Sequence, residues 1–215
     1  MHINNFIYQY CFDISLLSEQ SLKKIQEMMN INKTYEYKLY TGDEIDKYIL
    51  NNFSNYIYNS FCKLKSQQAK VNFWSYLILY NDGGIYLDIN KTLNIDINTI
   101  IKPCDDAIIS LENNKLYFVN DCLFFAKKHP ILRKVIELII DNINNNKYKN
   151  EIDDITGYNV FTRAVLYIHL ENYNMLDYSL INNKTNETYN NYKYNYKIYG
   201  VNYNNHLSIL TLNVM

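Results

Sequence analysis

Phe73–Leu93, FWSYLILYNDGGIYLDINKTL, is the stretch on which the reading of this chain turns. An apolar run of helical length stops at Asn81-Asp82-Gly83-Gly84. A second, shorter apolar run follows and delivers Asp88 and, two residues on, Asn90. Glycine adopts the positive φ that ends helices, so a doubled glycine reads as a helix stop. The spacing predicts a helix over 66–80 and a strand over 85–89. Ile85-Tyr86-Leu87 is apolar on both faces, the pattern of a strand covered by helices on each side.

Working outward, residues 3–10 read as a short apolar strand. Residues 17–29 read as a helix with Leu17, Leu22, Ile25 and Met28 or Met29 on one side. Residues 35–40 alternate as a second strand. Thr41-Gly42-Asp43-Glu44 then has the form of a capping box, the Thr hydroxyl taking an amide proton while Glu44 reaches back, with a helix through 46–50. Downstream, 107–111, 116–119 and 122–126 read as strands. Pro130 sits near a helix start, 131–143 is amphipathic, and 156–170 is a further helix. In 182–205, rich in Asn, Tyr and Lys, Tyr192, Tyr194, Tyr196 and Ile198 alternate with Lys193, Asn195 and Lys197. That suits a strand with one wet face or a partly disordered tail. Strands alternate with helices, with no repeat and no linker. The expected architecture is one α/β domain over 1–215, a mainly parallel central sheet flanked by helices.

Composition excludes several classes. The formal charge of −1 favours neither nucleic acid nor an acidic membrane, and no basic stripe accompanies the 23 tyrosines. No apolar run reaches the length of a membrane span. The four cysteines, Cys11, Cys62, Cys104 and Cys122, form no CxxC pair and read as reduced thiols; Cys104 and Cys122 lack the His/Asp partner pattern of a nucleophile. The dominance of Asn, Ile, Lys and Tyr points to an AT-rich genome, such as that of a large DNA virus. Sequons occur at Asn32, Asn52, Asn90, Asn183 and Asn186. A glycan on Asn90 would sit inside the suspected site, so the expected location is the cytoplasm, the host's if the chain is viral.

In open α/β sheets ligands bind beyond the carboxyl ends of strands, where Asp88 falls. If the strand continues, residues 88 and 90 share a face. Two oxygen-bearing side chains there suit a hard divalent cation, which neutralises a pyrophosphate. Gly83 and Gly84 would let the backbone approach a ligand closely. The same residues also suit an ordinary helix-to-strand turn capped by an Asp.

The neighbouring residues bear on that choice. AKVNFWSYLILYNDGGIYLDIN, 69–90, resembles the core of the DXD-containing sugar transferases of glycosyltransferase family 32, which includes capsular-polysaccharide enzymes and initiating mannosyltransferases. FIYQY at 6–10, KLYTGDEIDKYI at 38–49, HPILRKVIELI at 129–139 and TGYNVFTRAV at 156–165 resemble further segments of that family. The resemblance implies a GT-A-like nucleotide-sugar-binding fold and a UDP- or GDP-sugar donor. It also implies a glycan or protein acceptor, Mn²⁺ or Mg²⁺, and retention of configuration. It makes Asp88 and Asn90 the catalytic and metal-holding pair. Tyr8, Gln9, Asn72, Ser75, Gly83, Gly84, Tyr86, Asp88, Thr156 and Gly157 become donor contacts, and His206 a further metal ligand. Three positions depart from the family's pattern by losing charge: Asn72 stands where an Asp is usual, Ser75 where an Arg is, and Asn90 where the second acid of the motif is. Tyr8 replaces a His and Tyr158 a Pro.

Other side chains carry open readings. Trp74 lies on the apolar helix and reads as core. Tyr8, Tyr10 or Phe12 are the aromatic candidates for stacking on a base. Thr156-Gly157 opens a helix whose amides would meet an anion or simply be capped. Two functions follow: a metal-dependent, retaining sugar transferase, or a degenerate module that binds nucleotide, glycan or protein without turnover.

Overall fold

The computed structural model describes residues 2–111, 117–149 and 151–173, and strands at 188–190, 195–202 and 211–212. In chain order the elements begin with β1 (Phe6–Cys11), α1 (Glu19–Ile31), β2 (Glu36–Thr41), α2 (Glu44–Asn52) and α3 (Asn55–Cys62). The central pair is α4 (Gln67–Asp82) and β3 (Gly84–Leu87), followed by β4 (Ala107–Leu111), β5 (Cys122–Phe125), α5 (Pro130–Asn144), α6 (Ile152–Ile155) and α7 (Tyr158–Tyr173). The strands β6 (Thr188–Asn190), β7 (Asn195–Asn202) and β8 (Thr211–Leu212) complete the order.

A five-strand sheet runs β2-β1-β3-β5-β4, with β7 and then β6 beyond β4, and β8 paired to β7. β1 is parallel to β2 and β3, while β5 lies antiparallel between β3 and β4. Among these five strands β1 to β4 therefore share one direction and β5 is reversed. The carboxyl ends of β1 and β3, the start of β5 and the start of α4 all meet at one edge of the sheet.

The two faces of the sheet have separate cores. Tyr8, Tyr10 and Tyr86 pack toward α2, α4, α5 and α7, whereas Ile7, Ile85, Leu87 and Phe124 pack toward Met28 of α1 and the 93–100 segment. β3 alternates between these cores and is buried at all its positions, which explains its apolar character on both faces. α4 is buried without a break from Val71 to Leu79. A helix apolar all round belongs inside a protein, and Asn72 and Ser75 go inside with it.

The ends of α4 follow from local chemistry. Ser66 accepts the Ala69 N–H at 3.4 Å, capping the start. Gly83 at φ 69° closes the helix, its N–H donating to the Leu79 carbonyl at 2.9 Å. The capping box at Thr41 forms only by half. Glu44 accepts from the Thr41 N–H at 2.6 Å and from its hydroxyl at 2.9 Å. The hydroxyl is thus a donor here, because the helix N-cap falls two residues later, at Asp43. Of the strand expected at 116–119, Phe118 makes a single bridge to Leu111. The strand expected near 192–198 is β7, shifted to Asn195–Asn202 and parallel to β4. α3 has no counterpart in the periodicity; its NYIYNSFC run buries only Ser60 and Phe61.

Candidate active site

β3 stops at Leu87, so Asp88 and Asn90 are not strand positions. They belong to a turn in which the Lys91 N–H donates to the Asp88 carbonyl at 2.8 Å. Asp88 Oδ1 accepts the Asn90 N–H at 3.0 Å and the Asn90 Nδ2 at 3.2 Å. The two side chains meet through this Asx turn, not through the two-residue period of a strand. The turn is pinned from below. Gln9 Nε2 donates to the carbonyls of Asp88 and Lys91, each at 2.9 Å, and the Tyr37 hydroxyl donates to Gln9 Oε1 at 2.8 Å. From the side, the Asp88 N–H donates to the Asp121 carbonyl at 2.8 Å. Lys91 Nζ lies 3.3 Å from Asp121 Oδ2.

Above the turn lies a cleft of about 360 Å³, within the usual range for a small-molecule site. β1 and the loop after it contribute Tyr10, Phe12, Asp13 and Leu16 to the cleft; the first turns of α4 contribute Gln67, Gln68 and Val71; the end of β3 contributes Tyr86, Asp88, Ile89 and Asn90. Gln67 Nε2 donates to the Tyr10 hydroxyl at 2.6 Å, which in turn donates to the Gly42 carbonyl at 3.0 Å. Burial pushes the Tyr86 phenol well above its ordinary range, and the carboxylates of Asp88 and Asp121 add to it, so Tyr86 stays a neutral donor.

Several expected site residues stand elsewhere. Gly83 and Gly84 are at the opposite end of β3, Gly84 about 13 Å from Asp88 at ~3.3 Å per residue and Gly83 beyond it. What approaches them is the protein's own backbone. A Cβ on Gly83 would lie 2.8 Å from the Lys127 nitrogen, and one on Gly84, at φ 113°, would lie 2.8 Å from the Phe6 carbonyl oxygen. Tyr8 is 1% exposed and packs on Phe6 and Tyr40; it is not part of the cleft lining, whereas Tyr10 and Phe12 are. Gln9 is fully buried and holds the turn rather than facing the cleft. Ser75 is sealed within α4, its hydroxyl donating to the Asn72 carbonyl at 2.8 Å. Asn72 is buried behind the wall and accepts from Gln68 Nε2 at 2.9 Å. The Thr156 and Gly157 amides both donate to the Ile152 carbonyl, at 2.8 and 3.0 Å, which leaves neither for an anion. Gly157 is needed because a Cβ there would meet Asp153 at 2.7 Å. His206 lies outside the described residues. Trp74 is core, packed among Tyr10, Tyr40 and Tyr86.

The sequence reading missed Gln67, Gln68, Asp13, Tyr37 and Asp121. A signal existed for one of them: Gln68 stands four residues before Asn72, one helical turn closer to the cleft.

The donor set can be tested against Mn²⁺ or Mg²⁺. Asp88 Oδ1 is engaged by Asn90, and Oδ2 makes no hydrogen bond among the described residues. The cleft is lined by Asp13 and Asp88 and by no Lys or Arg among the described residues. No group of three His, Cys, Asp or Glu gathers there among those residues. Mg²⁺-type cations are commonly held by one or two carboxylates together with substrate phosphates and water, and one free carboxylate oxygen in an anionic cleft meets that minimum.

Comparisons with known proteins bear on this geometry. Residues 18–105, which include the Asp88 turn, match the family described as "Glycosyltransferase sugar-binding region containing DXD motif". Among solved structures, the chain is similar to PaToxG glycosyltransferase with a TM-score of 0.56 at 20% identity, covering 79% of this chain and 70% of that one. No curated protein matches the sequence significantly. The fold is a mixed α/β, GT-A-like one, and the findings support a protein of the general glycosyltransferase kind.

Proposed function

We propose that the chain transfers a sugar from a UDP- or GDP-linked donor to a glycan or protein acceptor, with retention of configuration, in the manner of glycosyltransferase family 32. The observation that carries this reading is the Asp88 turn at the carboxyl edge of the sheet, opening on a cleft with aromatic and amide walls. Tyr10 and Phe12 offer ring faces to a base. Gln67, Gln68 and Asn90 offer amides to hydroxyls, and Asp88 accepts from a ribose or sugar hydroxyl. A divalent cation held by Asp88, with Asn90 beside it, would supply charge neutralisation for the departing diphosphate. No side chain is placed as a nucleophile in this reading, so rate would rest on positioning and on electrostatics. Residues 1–215 act as one domain in this proposal. The Asn90 sequon faces the cleft, which favours action in the cytoplasm, away from N-glycosylation.

The test is donor hydrolysis across a panel of UDP- and GDP-sugars. Wild type should hydrolyse at least one donor, and Asp88→Asn should lower that rate by about 100-fold, the usual effect of removing one preorganised polar group. Hydrolysis of none of them would reject the enzyme reading.

A second reading has an observation of its own. Ser75 and Asn72 face inward, tied to α4 and to Gln68, so two of the charges that would handle a donor are replaced by interior hydrogen bonds. A protein that binds nucleotide, glycan or protein without turnover would saturate with ligand and release no free sugar.

A further inference from the structure

We infer that a second cavity, behind the first turn of α4, binds an anionic sugar: a hydroxylated ring that carries a phosphate or a carboxylate. The cavity measures about 430 Å³, larger than the cleft above Asp88 and within the range of small-molecule sites. It lies where the α3–α4 connection meets α6 and the end of α5. Ser66 and Ala69 line it, whereas Gln67, Gln68 and Val71 line the Asp88 cleft. At 3.6 residues per turn these two sets point in opposite directions, so the cavities share a helical turn but no lining residue.

Three properties of the lining select the ligand. The first is charge. Lys63, Lys65 and Lys147 stand at the cavity, and no Asp or Glu lines it among the described residues. Lys147 Nζ is 2.6 Å from Asp141 Oδ2, outside the lining, and Lys63 Nζ donates to the neutral Asn144 Oδ1 at 2.8 Å. Lys65 is bonded to no carboxylate among the described residues. Asp154, behind the cavity wall, is itself tied to Arg163 at 3.0 Å. Ammonium groups thus outnumber carboxylates at the rim, and the start of α4 at Ser66 adds its partial positive charge. The Asp88 cleft has the opposite lining, Asp13 and Asp88 with no Lys or Arg among the described residues.

The second property is a buried acceptor. Asn142 lines the cavity and is 4% exposed. Its Nδ2 donates to the carbonyls of Asp154 and Ile155, at 3.0 and 3.3 Å, which fixes the amide, and its Oδ1 accepts nothing among the described residues. An amide oxygen so placed opposes a bare anion and calls for a donor such as a sugar hydroxyl. The third property is the floor. Leu64, Ala69, Ile143, Ile152 and Ile155 are aliphatic, and no aromatic ring lines the cavity among the described residues. The C–H face of a sugar ring packs on such a floor, whereas a nucleobase finds nothing to stack on.

The experiment titrates glucose 6-phosphate, glucuronate, glucose and inorganic phosphate separately into the ¹⁵N-labelled whole protein and follows the amide shifts. Glucose 6-phosphate or glucuronate should give saturable shifts centred on Lys63, Lys65, Ser66, Asn142 and Lys147, and the tighter of the two names the anion. Glucose and phosphate should each bind at least about 10-fold more weakly, since each lacks one of the two recognised groups. Lys65→Glu, an exposed change, should weaken the anionic sugar by about 10-fold or more. Lys65→Arg should retain it, and Asp88→Asn should leave it unmoved.

Phosphate binding as tightly as glucose 6-phosphate would reduce the cavity to a general anion site and overturn the proposal. Binding indifferent to Lys65→Glu would overturn it too, as would shifts confined to Tyr10 and Asp88 that Asp88→Asn abolishes, or no saturable shift with either anionic sugar. The donor reading stands or falls separately, on nucleotide sugars at the other cavity.

Discussion

The two ends of β3, a strand of only four residues, are built by opposite means. At the amino end the chain is fixed by exclusion: Gly83 and Gly84 pass so close to Lys127 and Phe6 that no side chain fits, and both take positive φ. At the carboxyl end it is fixed by attraction: Gln9, Asp121 and Asn90 each give or take a hydrogen bond at a half-exposed turn, and Tyr37 holds Gln9 in place. The first arrangement tolerates nothing and serves the fold. The second leaves Asp88 facing a cleft and can be altered one bond at a time. The glycines that announce the site in the sequence do not touch it; they set the strand whose other end does.

That contrast can be broken most severely inside α4. Ser75→Arg would place an unpaired guanidinium at a position with no exposure. It should cost more than about 4 kcal/mol, or prevent folding, as read by urea denaturation. A folded and active Ser75→Arg would mean that α4 is not buried as described. Next comes Gly84→Ala, which puts a Cβ against the Phe6 carbonyl at 2.8 Å. Strain and overpacking should together cost about 3 kcal/mol in the same assay. At the other end of the strand, Asp88→Asn keeps an acceptor for the turn, so stability should move by less than about 0.5 kcal/mol while donor turnover falls as stated above. A matched loss of stability at both ends would erase the distinction.

Tyr37→Phe should have a smaller effect. It removes one hydrogen bond to Gln9, worth about 1 kcal/mol, and should loosen the turn, seen as faster amide exchange at Lys91. The smallest expected effect depends on pH. Burial holds the His129 imidazole below its ordinary range, while Asp106 pulls it back up. Because the folded value is depressed, the contribution is present above the unfolded value near ~6.5 and is lost as pH falls below it. His129 also caps α5, accepting the Ile131 N–H at 3.2 Å. His129→Asn keeps a cap and should flatten the stability curve from about pH 6.5 to 5.

How much of this was legible in the sequence depends on the kind of force. Burial leaves a periodic record, so α4, β3, α5 and the α/β order could be read from apolar spacing. Glycine pairs also leave a record, although one of strand packing rather than of ligand approach. α3 escaped because eight residues with two buried side chains make no period. What holds the Asp88 turn in place escaped for a different reason. Gln9 and Asp121 reach the turn, and Tyr37 reaches Gln9, through bonds spanning dozens of residues, and nothing local in the chain marks such a partnership. Ser75 and Asn72 belong to the site by resemblance alone; the structure buries both within α4.

The claim that matters most is that the Asp88 turn and the first turn of α4 together hold a nucleotide sugar. A ¹H–¹⁵N titration of the whole protein with UDP- and GDP-sugars, Mn²⁺-free Mg²⁺ present, measures this directly. The account predicts saturable shifts that include Tyr10, Gln67, Gln68, Asp88 and Asn90 and leave Gly83 and Gly84 unmoved. Shifts confined to other parts of the molecule, or no shifts with any donor, would contradict it.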